Sequence, residues 1–318
     1  MNTITTKKRF RTLVNMLVYS GTFAAVYGCI QYFFGLSNYV LQEDVYGNLI
    51  YRSVGAFGLA NVFATFLAMI IPFIIYKIKI TKNKFSKFIN VIFLALSLMG
   101  LYFSYSRWAI VCLLITFAMY SLRRFVHRVI HKKISVFKIT FLFPILIGVC
   151  IYYVNKYSET INTLFFDRGS NDIRGSNLTF VLQNFKPWGS GLGNGNQGVI
   201  VDSNYVNVLI DTGVVGLALF LLLILTIYGG LRKRAKGDIS FSNIHIVTAL
   251  SFLVFILNGI LETPLYNSVI NIFLGIYIFV LNADKSILPE TEEHLEEAQE
   301  ELKVKHKRKK RKKYRLTW

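Results

Sequence analysis

The sequence predicts an all-α polytopic membrane protein with about eight transmembrane helices, a long extracytoplasmic loop carrying a short helix, and both termini in the cytoplasm. Three observations predict it. Of 318 residues, 53% are hydrophobic and 15% aromatic, more apolar surface than a water-soluble fold of this size can hide. Eight apolar stretches run at about 13–36, 54–76, 88–104, 108–121, 139–154, 206–229, 243–261 and 265–281, most of them close to the length a helix needs to cross hydrocarbon. With the N-terminus inside, the cytoplasmic segments 1–12, 77–87, 122–138, 230–242 and 282–318 hold 30 of the 36 Lys and Arg, which is the bias that retained positive charge imposes on topology. Without the eleven in the tail, the short segments still give 19 against 6.

The first apolar run is long and has no small-residue processing site with polar residues beyond it, so it reads as a span and not as a cleaved leader. Cys29, Cys112 and Cys150 each fall inside an apolar run and read as small buried hydrophobes outside any disulfide. Residues 1–282 therefore form one transmembrane domain, with the extracytoplasmic loop at 155–205, and 283–318 form a charged cytoplasmic tail.

The outward side carries few ionisable residues, so each is informative. Arg52 precedes the second span in Tyr51-Arg52-Ser53-Val54-Gly55-Ala56-Phe57, with Asn61 following it, and Arg107 closes the short link Ser104-Tyr105-Ser106-Arg107. Each arginine has a bland role, snorkelling at the interface. Its sharper role is a phosphate clamp, because a guanidinium keeps its charge when partly desolvated and presents paired planar donors. Arg52, Arg107 and Arg174 on one face would suit a diphosphate.

In the cytoplasmic loop after the fourth span, His127 and His131 are four apart, but their basic surroundings predict solvation and no metal. The outward loop of 155–205 is longer than a connection needs. A short helix is expected over 173–186, turning Ile173, Phe180, Val181 and Phe185 to the membrane surface. The glycines at 189, 191, 193 and 195 do not make a nucleotide loop, since no strand precedes them and no P-loop Lys-Ser follows. Gly191 and Gly193 are instead expected to offer backbone donors beside a bound anion.

Asp202 opens the sixth span in Val201-Asp202-Ser203-Asn204-Tyr205. It is read either as the helix N-cap or as a general base that takes the proton of an attacking hydroxyl. Asp211 lies about two turns deeper, before Thr212-Gly213-Val214-Val215-Gly216, where an acidic residue in an apolar span is a functional candidate and the glycines permit close packing. Glu262, in Leu261-Glu262-Thr263-Pro264, is read as a polar turn or a substrate contact.

The tail places glutamates at 292, 293, 296, 297, 300 and 301 along one face, then a basic run from Lys303 to Arg315. Such a run is expected to hold anionic lipid of the inner leaflet. Nucleic acid is the poorer reading, because no recognition fold surrounds the charge.

The order of these pieces resembles the O-antigen ligase and polymerase (Wzy-type) family of membrane glycosyltransferases. The likeness covers roughly 50–280. It rests on Arg52 with Gly55 and Asn61, Ser106-Arg107, the long loop with Arg174, Pro187-Trp188-Gly189-Ser190-Gly191-Leu192-Gly193, and Asp202-Ser203-Asn204-Tyr205 leading to Asp211-Thr212-Gly213-Val214-Val215-Gly216. The resemblance implies a polyprenyl-diphosphate-linked glycan as donor and another as acceptor, used on the outer membrane face without metal or other cofactor. It implies Arg107 and Arg174 as catalytic with Asp202, and Arg52, Asn61, Gly191, Gly193, Tyr205, Asp211 and Glu262 as substrate-binding. Membrane lipids, a flippase and a chain-length regulator are the partners expected, and nucleic acid is not.

The chain departs from the family in one respect. Ligases of this kind typically carry histidine, usually followed by asparagine, where this sequence has Asp202-Ser203, which favours polymerisation of repeat units in capsule or exopolysaccharide assembly over ligation. The family usually has more spans than eight, so the chain reads either as a short member or as one missing N-terminal helices. The alternatives are ligase-like transfer to another acceptor and a polysaccharide-related transporter. A transporter is expected to carry internal repeats and broken helices, and the sequence displays neither.

Overall fold

A computed structural model describes residues 6–36, 41–43, 49–130, 185–191, 201–235 and 240–283, with single positions at 156, 179 and 183. Seven α-helices account for most of these residues: α1 (Lys7–Phe34), α2 (Ala60–Ile80), α3 (Lys84–Phe103), α4 (Arg107–Ile130), α5 (Asn204–Arg234), α6 (Ile244–Asn258) and α7 (Ser268–Asn282). The first five are long and apolar enough to cross a membrane, and α6 and α7 are shorter apolar helices. The chain is thus a multi-pass membrane protein.

Seven of the expected spans fall on these helices, and the eighth, 139–154, lies outside the described residues along with the tail. The boundaries differ where caps override hydropathy. Residues 54–59 are apolar but not helical, and α2 starts only at Ala60. Conversely, α4 runs to Ile130, well beyond its apolar stretch. The fold is all-α apart from one short antiparallel pair of strands, β1 (Leu41–Glu43) and β2 (Leu49–Tyr51). Within the helix expected at 173–186, Thr179 and Gln183 are helical while Phe185 and Lys186 are not; the other positions lie outside the described residues.

Burial fixes the layout. In α2, 72% of the most apolar window is inside the protein, against 22% in α3 and 28% in α4 and α5, so α2 is central and the others turn a face to lipid. It packs against α1, α3, α4 and α6. Phe63, Phe73, Phe252, Phe255 and Phe273 fill the interior. One polar chain crosses it: Tyr277 and Ser251 share a hydrogen bond of 2.9 Å, and Ser251 Oγ donates to Met69 O at 2.7 Å. In hydrocarbon, bonds of this kind tie helices that apolar contact alone leaves free to slide.

Short links make neighbours antiparallel. Asn83 caps α3 after the turn from α2, and Ser104–Ser106 joins α3 to α4. One end of the bundle therefore collects the lysines around the α2–α3 turn, Arg123 and Arg124 on α4, and Arg232 to Arg234 on α5. The opposite end collects residues 51–61, 104–107, 201–205 and 259–267.

Candidate functional site

At that opposite end, the segment before α2 is tied down on both sides. Gln31 of α1 accepts from Val54 N at 3.2 Å and Gly55 N at 2.9 Å through Oε1, and donates to Gly55 O at 3.0 Å through Nε2. Ser53 donates from Oγ to Gly28 O at 2.7 Å and from its backbone N to Phe103 O at 2.9 Å. Gly55 turns the chain at φ 55, a conformation that a Cβ would strain while also driving into the Phe63 ring. This clamp delivers Arg52 to the start of the bundle.

Arg52 is half-buried and aimed. Its Nε donates to Ser104 O at 2.9 Å and its Nη2 to Asn61 Oδ1 at 2.8 Å. Asn61 in turn donates from Nδ2 to Glu262 Oε2 at 3.0 Å. A guanidinium, an amide and a buried carboxylate thus form a continuous line across the helix ends. The amide bonds to both charged groups and polarises with them. Glu262, 9% exposed, is more than a polar turn, because it is the acceptor that orients the Asn61 amide.

The start of α5 docks on the same carboxylate's backbone. Asn204 N donates to Gly259 O at 2.9 Å and to Glu262 O at 3.2 Å, and Asn204 Oδ1 accepts from Leu265 N at 3.1 Å. Tyr205 OH donates to Ile256 O at 2.9 Å, which commits it to holding α5 against α6. The N-cap of α5 is Ser203, whose side chain accepts from Val206 N at 3.4 Å. The capping role considered for Asp202 therefore belongs to its neighbour, and Asp202 stands half-exposed just outside the helix.

Arg107 is the first residue of α4, directly after the carbonyl that Arg52 grips at Ser104. Trp108 Nε1 donates to Leu257 O at 3.2 Å, which seats this turn on the end of α6. The intervening Tyr105 has φ 51, a sparsely populated conformation for a residue with a Cβ. Strain of this kind is retained where surrounding bonds over-determine a turn, and it concentrates at functional sites.

A second structure lies further along α5. Gly213 has φ 70 and ψ −170, so two helical pieces meet at a break. Segment 185–191 enters that break through a turn at Pro187-Trp188, closed by Gly189 N donating to Lys186 O at 2.9 Å. Ser190 N donates to Ile210 O at 2.8 Å, Gly191 N to Asp211 O at 3.0 Å, and Val214 N to Pro187 O at 3.0 Å. The carbonyls and amide that the missing helical turn would leave orphaned in hydrocarbon are thereby satisfied. The expectation of unbroken helices fails at this position. Asp211 is buried beside the break, seven residues past Asn204 and so roughly 10 Å deeper at 1.5 Å per residue. Trp188 projects from the inserted segment, 87% exposed.

Of the expected site residues, the structure joins Arg52, Asn61 and Glu262 directly, sets Arg107, Asp202 and Tyr205 around them, and pairs Gly191 with Asp211. Arg174 and Gly193 lie outside the described residues. Sequence reasoning missed the roles of Gln31, Ser104 and Asn204, whose value is tertiary; buried amides near apolar spans were the available signal. Among the described residues no group of three or more His, Cys, Asp or Glu is placed to hold a metal. A cavity of about 700 Å³ lies between α1, α2 and α7, lined by Leu17, Phe23, Phe57, Phe66, Phe273 and Ile276 among others. It is apolar and reaches Ala56 and Phe57, close in sequence to Arg52.

No protein-family model matches the chain, and no curated protein matches it either.

Proposed function

We propose that this multi-pass protein polymerises polyprenyl-diphosphate-linked oligosaccharide repeat units on the outer face of the cytoplasmic membrane. In this reading it has eight spans and both termini inside, so the end bearing Arg52 and Glu262 faces outward. The observation that carries the reading is the line Arg52–Asn61–Glu262, a fixed guanidinium at the rim of an apolar bundle. A cation held in this way binds a diphosphate without reorganising when charge develops, which is where electrostatic catalysis gains most.

The reaction is a displacement. A hydroxyl oxygen of the acceptor glycan attacks the anomeric carbon of the donor. The bond from that carbon to the diphosphate oxygen breaks, and the electron pair leaves on the polyprenyl diphosphate. The hydroxyl proton passes to Asp202. Arg52, Arg107 and Arg174 stabilise the departing diphosphate, and Asn61 and Glu262 hold Arg52 in register. The apolar cavity beside Phe57 and Phe66 gives an isoprenoid chain room next to the segment that carries Arg52. Tyr205, Asp211, Gly191 and Gly193 belong to the glycan side of the site.

Purified protein in vesicles supplied with lipid-linked repeat units tests this. A ladder of products is expected, and its absence with correctly inserted protein overturns the proposal. The break at Gly213 favours one second reading, a transporter, because interrupted helices line many translocation paths. In that case the same vesicles accumulate translocated glycan of unit length and no ladder.

A further inference from the structure

The basic end of the bundle carries an arrangement unrelated to the outward site. On α4, Met119, Leu122, Arg123 and Val126 share one stripe by their spacing of three and four, and the three apolar members are exposed. On α5, Leu221, Leu225, Tyr228 and Arg232 share another, with Leu221 and Leu225 exposed. Each stripe is greasy along its length and ends in a guanidinium. The Arg232 group sits over the Tyr228 ring at 5.7 Å from its centroid, which holds it against the helix surface.

The inner ends of the two helices meet at one buried cluster beside α6. Phe241 packs on Tyr120 at 4.4 Å and on Phe117 at 5.9 Å between ring centroids, and Tyr120 shares a buried cluster with Ala235, Ile246 and Leu250. The last turns of α4 and α5 are thus drawn to the same side of α6. Arg123 and Arg232 each stand three residues from a member of that cluster, Tyr120 and Ala235, which puts both guanidinium groups beside the same junction. Arg124, Lys233 and Arg234 add charge, with Arg234 Nη1 capping α7 by donating to Ala283 O at 2.9 Å. The acidic side chains Asp202, Asp211 and Glu262 stand at or toward the other end of the bundle.

Two like charges held together at a membrane surface require an anion. A phosphodiester fits the geometry, since its oxygens accept from both guanidinium groups. Its source is decided by what lies below the charges. Exposed Met119 and Leu122 on one helix, and Leu221 and Leu225 on the other, descend from the arginines into the lipid layer, so an amphiphile has somewhere to lay its tails. We propose that Arg123 and Arg232 form a binding site for the headgroup of an anionic phospholipid, with its acyl chains along α4 and α5.

The test uses the full chain purified in neutral detergent and offered equal amounts of phosphatidylglycerol and phosphatidylcholine, with retained lipid counted by native mass spectrometry. The protein is expected to retain phosphatidylglycerol preferentially. In the Arg123→Gln/Arg232→Gln variant that preference is expected to fall about thirtyfold, the product of about fivefold for each basic side chain at a charged surface. Lys84→Gln/Lys87→Gln, which removes two charges at the same end but away from the notch, is expected to leave the preference in place. Equal retention of the two lipids by the unaltered chain overturns the proposal without reference to any variant. So does an equal loss in both double variants. Displacement of the lipid by millimolar inorganic phosphate assigns the site to free phosphate and overturns the lipid assignment.

Discussion

Asn61 Nδ2 donates to Glu262 Oε2 at 3.0 Å across 201 positions of chain, and the same amide accepts from Arg52. One side chain therefore sets the position of a cation and the lone-pair direction of an anion together, so disturbing it moves both.

Asn61→Ala is expected to destabilise the protein by about 1.5–3 kcal/mol, the net value of a hydrogen bond to a charged group. Asn61→Asp sets a second carboxylate against Glu262 and is expected to cost more. Thermal unfolding of the purified protein in detergent ranks the three. Equal melting temperatures for wild type and Asn61→Asp would refute the line as drawn.

Arg52→Lys keeps the charge and loses the fork. A single ammonium cannot address Ser104 O and Asn61 Oδ1 from the two positions that Nε and Nη2 occupy. Polymerisation is expected to fall by about a hundredfold, the scale of losing one fixed donor to a developing anion, with insertion unchanged. Gel analysis of products against membrane-fraction abundance separates the two effects.

Asp202 and its neighbour should part company. Asp202→Asn is expected to reduce the rate by about a hundredfold or more, as removal of a general base does, while leaving the cap of α5 in place, because that cap is Ser203. Ser203→Ala is expected to cost about 1 kcal/mol of stability and to retain activity. Full activity in Asp202→Asn would remove the base assignment.

Two glycines of α5 are expected to respond with opposite signs. A Cβ at Gly213 meets the Pro187 carbonyl and is forced into φ 70, so Gly213→Ala is expected to cost about 2 kcal/mol or more. At Gly229 nothing lies near the added atom, and Gly229→Ala is expected to stabilise by about 0.5–1 kcal/mol through helix propensity. Chemical unfolding of both variants checks the pair.

Hydropathy and basic residues made the helices legible, because a span is a local property: about twenty apolar residues identify themselves. Ends were less legible. Val54 to Leu59 is apolar enough to continue a span, yet Gly55 and Gly58 both take positive φ there and the helix waits for Ala60. Asp202 and Ser203 are both good caps, and composition alone does not decide a register of one residue. At the site, Arg52 and Asn61 stood out as polar groups near apolar runs. Their bond to each other, and through Asn61 to Glu262, depends on the α2–α6 packing, which no local pattern encodes. The glycine pattern around Gly213 was visible and was read as close packing, while the break itself depends on a segment more than twenty residues upstream.

That break has a bearing on how the protein is made. Pro187 to Gly191 leaves the ribosome before Gly213 does, so the splint exists ahead of the fracture that it sets. An interrupted span in the reverse chain order would sit in oil with bare peptide groups until its partner was synthesised. Here the vulnerable interval is absent, and a circular permutation that moved 185–191 downstream of α5 would bring it back.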